Sequence, residues 1–320
     1  MTLFLSESDV QELFPMERAL ERVESSLRAQ HEGQATNRPR QRILLPHSSL
    51  HYMAASLPEE NLMGMKIYTV SREAFRFVVL LFDSESGAYL ALIEADHLGR
   101  IRTGAASGVA TKFLARPDAS RVGLIGAGRQ ARTQLEAVAR VRKLSAAKVF
   151  SRTRESREEF CREMSAKLQL NVEPAESAEA AVRFADVVIT ATNSNEPVVR
   201  GEWLRLGTHV NAIGANMANR REVDDSALER AAVIIVDDLA QARVEAGDLI
   251  QGFAALQRGW ETTFELCQIV AGARPGRTSN DDITIFKSSG IALWDVAAAG
   301  FIYRQALKRG MGKPLALFEK

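Results

Sequence analysis

The sequence predicts an α/β protein: a doubly wound parallel sheet in its later part, with a smaller α+β region ahead of it. Three observations carry this. From residue 121 onward short β-branched runs alternate with helical patterns, the rhythm of a parallel sheet covered by helices. The first of those runs ends in a glycine turn, Gly126-x-Gly128-x-x-Ala131, that opens a helix. Between Ile43 and Ile93, short apolar stretches alternate instead with turn signals, which reads as an antiparallel sheet. A chain of 320 residues also exceeds what one hydrophobic core ordinarily serves, so two domains are expected.

Residues 8–30 carry Val10, Leu13, Phe14, Met16, Ala19, Leu20, Val23 and Leu27 at helical spacing, with Ser6 and Ser8 as caps, and predict one or two amphipathic helices. The stretches Ile43–Leu45, Leu50–Ala54, Met63–Val70, Phe75–Phe82 and Tyr89–Ile93 are the expected strands, with turns at residues 46–49 and 83–87. Residues 96–115 are helical again and stop at Arg116-Pro117-Asp118, because proline disfavours helix in the residue before it. The parallel-sheet strands are Val122–Ile125, Lys148–Phe150, Val187–Thr190, Val210–Ile213, Val233–Val236 and Ile283–Phe286. Gly290 then leads into a last helix from about Ile291 to Lys308.

The glycine turn has the order that a dinucleotide-binding, Rossmann-type turn needs. Gly126 allows the tight strand-to-helix turn, Gly128 lets backbone approach a pyrophosphate, and Ala131 lets the helix pack on the strand. Arg129 and Gln130 stand at the helix start beside the phosphates. At the end of the next strand an acidic residue would hold the ribose 2′-hydroxyl of NAD, but the segment is Ser151-Arg152-Thr153-Arg154. A hydroxyl followed by arginine suits a 2′-phosphate, so NADPH is the expected cofactor, with NADH as the alternative. Thr190-Ala191-Thr192-Asn193 and Asn211–Asn216, the latter including Ile213 and Gly214, are small or polar segments at carboxyl ends of strands, the edge where ligands bind in such sheets.

Other chemistries find no support. The net charge is +1 and Lys and Arg are scattered, so no nucleic-acid or membrane partner is expected. Glu7, Asp9, Glu12, Glu17 and Arg18 interrupt the N-terminal apolar residues, unlike a signal peptide. Cys161 and Cys267 lack ligand spacing and fit a reducing cytoplasm as packing residues. The histidines 31, 47, 51, 97 and 209 show no paired ligand spacing, so no metal is expected. Gly104–Gly108 is not a nucleophile elbow.

Several segments together resemble the ornithine cyclodeaminase/μ-crystallin family of NAD(P)-dependent enzymes. They are Met65-Lys66-Ile67, Ile101–Ser107, the glycine turn, Asn211–Asn216 with Arg221-Glu222-Val223-Asp224, and Phe286–Gly290 with Trp294-Asp295. The resemblance implies a substrate and dimerisation domain of residues 1–117 with 296–320, a Rossmann domain of residues 118–295, and a homodimer. It implies that Lys66 is the active-site lysine, that Arg42 (or Arg40, since loop lengths differ) holds the substrate carboxylate, and that Arg102 lies near substrate and cofactor. Ser288 falls in a segment matching the cofactor side. Trp294 stands where the family often carries a carboxylate.

The departure with most meaning is Asn216, where the cyclodeaminase branch resembles an aspartate used in proton transfer. Asparagine neither takes up nor releases a proton at ordinary pH. The expectation is therefore reduction of a preformed cyclic imine, Δ1-pyrroline-2-carboxylate or Δ1-piperideine-2-carboxylate, with Lys66, Arg42, Arg102 and Asn216 as site residues. The proton source is open between Lys66 and an ordered water. Cyclodeamination and alanine-type dehydrogenation are the alternatives on the same scaffold. A non-catalytic NADPH- or ligand-binding protein is the alternative of another class, and the retained cations argue against it.

Overall fold

The computed structural model describes residues 2–317. The chain forms two compact units: one runs to Thr103 and resumes at Gly290, and the other spans Gly104–Ser289.

The first unit begins with β1 (Leu3–Leu5), α1 (Glu7–Leu13) and α2 (Met16–His31). Ser6 and Asp9 close a reciprocal capping box that starts α1. A meander follows: β2 (Thr36–Leu44), β3 (Ser48–Leu57), β4 (Leu62–Ser71), β5 (Phe75–Asp83) and β6 (Tyr89–Glu94), then α3 (Asp96–Leu114), which enters the second unit. The sheet order is β15-β1-β6-β5-β4-β3-β2, where β15 is Lys313–Pro314 near the chain end. The terminal helix α11 (Ala292–Arg309) packs on the face that buries Met53, Leu57, Leu62 and Val79. On the other face Met63, Met65, Ile67, Val78 and Leu80 are only half-buried.

Strand β2 starts seven residues before the apolar run at Ile43. It is the edge strand, and its polar residues face solvent, so alternation does not announce it. Its register on β3 passes from Arg38↔Ala54 to Gln41↔Tyr52, so that Pro39 and Arg40 together stand opposite Met53. Proline, which has no N–H to give the ladder, is tolerated at such an edge bulge. The extra residue turns Arg40 onto the buried face, where it is 6% exposed.

The second unit contains β7 (Arg121–Ile125), α4 (Arg129–Val141), β8 (Ala146–Phe150), α5 (Arg154–Leu168), β9 (Asn171–Pro174), α6 (Ala178–Phe184), β10 (Val187–Thr190), β11 (His209–Ala212), α7 (Asp225–Arg230), β12 (Ala231–Val236), α8 (Leu239–Glu245), α9 (Gly247–Leu256), β13 (Thr263–Glu265), α10 (Leu266–Val270) and β14 (Ile283–Lys287). All eight strands are parallel, in the order β13-β12-β14-β11-β10-β7-β8-β9. The order reverses between β7 and β10, which is where such sheets bind ligands at their carboxyl edge. Two apolar clusters, one including Val188, Val210 and Ile285 and the other Leu124, Val149 and Ile189, pack with the helices.

The α/β class and the Rossmann-type sheet are as the sequence predicts. The units divide at 103/104 and 289/290, whereas the sequence reading divides the chain at 117/118 and 295/296. The later half of α3 is tied to the parallel sheet: Asn211 Nδ2 donates to Thr111 Oγ1 at 2.9 Å, and Gly104 lies against the backbone of Thr133. Among the described residues no helix is long and apolar enough to cross a membrane, and no group of three or more His, Cys, Asp or Glu is arranged to hold a metal ion.

Candidate active site

In the first unit, register and bulge bring cations to one face of the sheet. Lys66 pairs with Met53 and Val79, and His51 pairs with Arg42 and Tyr68. Lys66 is 3% exposed. Its ammonium donates to Asp295 Oδ1 at 2.8 Å, and Arg102 Nε donates to the same oxygen at 3.0 Å. Asp295 is fully buried in the first turn of α11, where a helix N-terminus favours a carboxylate. Arg40 Nη2 donates to the Gly290 carbonyl at 3.1 Å. Gly290 has φ +77°, and a Cβ there would stand 2.8 Å from Arg102 Nη1, so this turn needs glycine twice over.

Two cations thus share one carboxylate oxygen, and the charge of a third, Arg40, acts on Lys66. Lys66 is pushed down to about 8. Burial is the main cause, the Arg102 charge adds to it, Asp295 opposes it by charge and hydrogen bond, and Arg40 lowers it further. Arg102 Nη1 and Asp295 Oδ2 are buried and find no hydrogen-bond partner among the described residues. The aromatic rings of Phe77 and Trp294 lie 5.6 Å from Lys66 Nζ and 5.8 Å from the Arg102 guanidinium.

Of the cations singled out in the sequence, Lys66 and Arg102 come together, and Arg40 is the arginine whose charge bears on Lys66. Arg42 is half-buried and lies across from His51. Burial, then Arg42, then Arg40 push His51 down to about 4, and its ring stacks on Tyr68 at 4.4 Å. The carboxylate expected at position 294 is supplied by the next residue, Asp295, while Trp294 is fully buried. Asp295 carries a signal in the sequence: it is the one acid in the apolar stretch from Ile291 to Ile302.

In the second unit the glycine turn is built for a dinucleotide. Gly126 has φ +107°, and a Cβ would come within 2.5 Å of the Ala191 carbonyl. Gly128 precedes α4 with no side-chain cap, and a Cβ there would meet nothing within 4 Å. That open approach to an uncapped helix start fits a pyrophosphate. Ala131 is fully buried, Gln130 half-buried and Arg129 exposed. After β8, Ser151 Oγ donates to the Thr153 carbonyl at 3.0 Å, Arg154 pairs with Glu158 at 2.7 Å, and Arg152 is exposed. Ser288 Oγ donates to Asp237 Oδ2 at 2.9 Å.

The loops after β10 and β11 are organised by a residue that the sequence reading passes over as part of a motif, Glu222. Its carboxylate accepts from Thr190 Oγ1, from Thr192 N and Oγ1, and from the backbone N–H groups of Gly214 and Ala215. Burial raises its pKa, with Asp248 adding to the rise and Lys287 and the Thr192 bonds opposing it. Ile213 is buried and Asn216 half-buried in the second of these loops.

Comparison with known proteins agrees with this geometry. The profile described as the ornithine cyclodeaminase/mu-crystallin family matches residues 1–310. A Δ1-pyrroline-2-carboxylate reductase of Bacillus cereus is 36% identical over 259 residues, covering 78% of this chain and 79% of its own. The solved structure of the Thermococcus litoralis Δ1-pyrroline-2-carboxylate reductase in complex with NADH and L-proline superposes with a TM-score of 0.93 at 36% identity, covering 98% of this chain and 100% of that one. An archaeal alanine dehydrogenase dimer with bound NAD gives a TM-score of 0.94 at 33% identity, covering 99% of each chain.

Asp295→Asn removes the one anion shown to contact Lys66. The lysine pKa is then expected to fall below about 8 by about one pH unit or more, read by NMR titration of the labelled ammonium. An unchanged value would show that Asp295 does not hold the proton on Lys66.

Proposed function

The chain belongs to the ornithine cyclodeaminase/mu-crystallin family, and from that premise we propose that it reduces a small cyclic imino acid, Δ1-pyrroline-2-carboxylate or Δ1-piperideine-2-carboxylate, to the cyclic amino acid. The observation that carries this is the buried pair Lys66 and Arg102, both donating to one oxygen of Asp295. Two buried cations on one carboxylate leave one positive charge over, and a substrate carboxylate balances it. Planar guanidinium gives that carboxylate two parallel bonds, and Arg102 Nη1 is a buried donor with no protein partner among the described residues. The Thermococcus litoralis relative, solved with L-proline, supports the same substrate class.

A bound nicotinamide supplies a hydride to the C=N carbon. The chain's own residues do the rest. Arg102, with Arg40 or Arg42, fixes the carboxylate and so holds the imine in one orientation. Lys66 is an ammonium at neutral pH, close enough to its pKa to give the imine nitrogen its proton. The C–H bond forms as the C=N π pair moves to nitrogen, and that proton completes the amine. Asn216 orients the ring nitrogen or a water by hydrogen bonding and exchanges no proton.

NADPH is the cofactor that the Ser151-Arg152-Thr153 segment favours: it offers an exposed guanidinium and hydroxyls, and no carboxylate to repel a 2′-phosphate. Gly126, Gly128, Arg129, Gln130 and Ala131 hold the pyrophosphate side, and Thr190, Thr192, Ile213, Gly214 and Ser288 the nicotinamide side. The half-exposed apolar face bearing Met63, Met65, Ile67, Val78 and Leu80 supports a homodimer in which a second copy covers it, as contiguous apolar surface of this kind favours. The archaeal alanine dehydrogenase dimer is consistent with this.

Lys66→Met is expected to lower kcat/KM with the cyclic imine by about a hundredfold or more, with NADPH affinity within about twofold of wild type. Wild-type kcat/KM should fall as pH rises through about 8, because the reactive form of Lys66 is the protonated one. Wild-type turnover by Lys66→Met sinks the assignment. So does release of ammonia from ornithine by the native enzyme, and alanine oxidation in place of imine reduction moves the chain to the dehydrogenase reading.

Arg152→Ala should weaken NADPH about tenfold or more and NADH hardly at all, as isothermal titration would report. Equal losses would mean that Arg152 does not read the 2′-phosphate.

Met65→Glu should convert a species sedimenting at twice the chain mass into one at the chain mass. A native protein that already sediments as a monomer would refute the dimer.

A further inference from the structure

We propose that Glu222 is a positioning residue for the cofactor's nicotinamide side, tying the loop after β10 to the loop after β11 and fixing the backbone that carries Asn216. The inference rests on the reductase reading for its meaning, but not for its test. One oxygen of Glu222 accepts from Thr192 N at 2.8 Å and Thr192 Oγ1 at 2.7 Å. The other accepts from Thr190 Oγ1 at 2.9 Å, Gly214 N at 2.6 Å and Ala215 N at 3.2 Å. No single strand or helix holds all five donors; the carboxylate is the joint between two loops. The loops also meet backbone to backbone, for a Cβ on Gly214 would come within 2.1 Å of the Thr192 carbonyl.

The joint is itself anchored. Asp248 Oδ1 accepts from the N–H groups of Glu222 and Val223 at 2.6 and 2.9 Å, and Asp248 Oδ2 pairs with Lys287 Nζ at 2.9 Å. Lys287 Nζ also donates to the Ala215 carbonyl. Ala215 is thereby held through its N–H by Glu222 and through its carbonyl by Lys287, and the next residue is Asn216. Glu222, Asp248 and Lys287 are all essentially inaccessible to solvent.

Glutamine at 222 has the same size but only one accepting oxygen, so its NH2 must face either two or three N–H and O–H donors. A buried donor left without an acceptor is costly, and the N–H groups of Thr192, Gly214 and Ala215 each donate to this carboxylate. The joint therefore opens on the nicotinamide side, while the carboxylate clamp in the first unit is unchanged.

The test measures cofactor binding alone, by titration of Glu222→Gln with NADPH in the absence of any imine, and then steady-state kinetics. NADPH affinity is expected to fall about tenfold, with a lower kcat and a KM for the imine within about twofold of wild type. Asp186→Asn is the matched control, a buried carboxylate in the same unit that binds Arg116, Arg121 and Arg205 near the start of β7. It should lose thermal stability and keep NADPH affinity. Should Glu222→Gln fail to fold, Thr190→Val deletes one of the five bonds without changing shape and should give the same split at a few-fold size. Glu222→Gln or Thr190→Val with native NADPH affinity and kcat overturns the proposal. A wild type that binds NADPH but reduces no imine would overturn the substrate reading and leave this affinity test intact.

Discussion

The substrate side of the molecule depends on one carboxylate. Asp295 accepts from Lys66 and Arg102 through the same oxygen, with Arg40 close enough for its charge to lower Lys66. Each buried ion loses its hydration, at a cost of several kcal/mol, and a shared carboxylate offsets only part of that for three cations. Burial first, and then the charge of Arg102, bring the Lys66 pKa down to about 8 despite its contact with Asp295. A further carboxylate beside these cations would oppose both effects. Asp295 meets this need because α11 starts where it does: the left-handed Gly290 turn sets the first turn of the helix over β4 and also accepts from Arg40.

The cofactor side follows the opposite principle. Around the loops after β10 and β11 the charged groups meet partners inside the protein: Glu222 meets five donors, Asp237 meets Ser288 and Ser289, and Lys287 meets Asp248. A hydride donor needs fixed geometry more than it needs charge, and saturated buried networks are stiff. Buried Lys66 and Arg102 share one carboxylate oxygen in the first unit, whereas the Glu222 carboxylate in the second unit is met by five donors.

How much of this the sequence shows depends on whether a feature is local. Six of the eight parallel strands are legible because each is a continuous apolar run, whereas the edge strands β9 and β13 are three or four residues long and mostly polar and give no such run. The glycine turn is legible because its geometry is set within six residues. Strand β2 was half hidden, since an edge strand with polar residues gives no alternation before Ile43. The bulge at Pro39 turns Arg40 and Arg42 together onto the face of Met53 and His51, and the two differ in their place along the strand, which only the register on β3 reveals. Asp295 and Glu222 act through partners up to 229 and 32 residues away, and no spacing rule reaches that far. What did betray Asp295 is its charge amid apolar helix, a buried acid that must have a cation.

Asn216 divides two chemistries that this scaffold can run. Making a ring from a diamino acid requires oxidation, attack by the second amine, loss of ammonia and return of the hydride, with protons taken and given along the way. An amide cannot carry those protons. Reducing a ring already formed needs one proton at nitrogen and a fixed orientation for the carbon. In the proposed reading Lys66, with its pKa near 8, is the group that meets the first requirement at neutral pH, and the arginines are the groups that meet the second. Asn216 sits on a peptide gripped by Glu222 and Lys287. There an amide still directs a hydrogen bond without adding a second titrating group. Imine reduction thus asks less of residue 216 than cyclodeamination would.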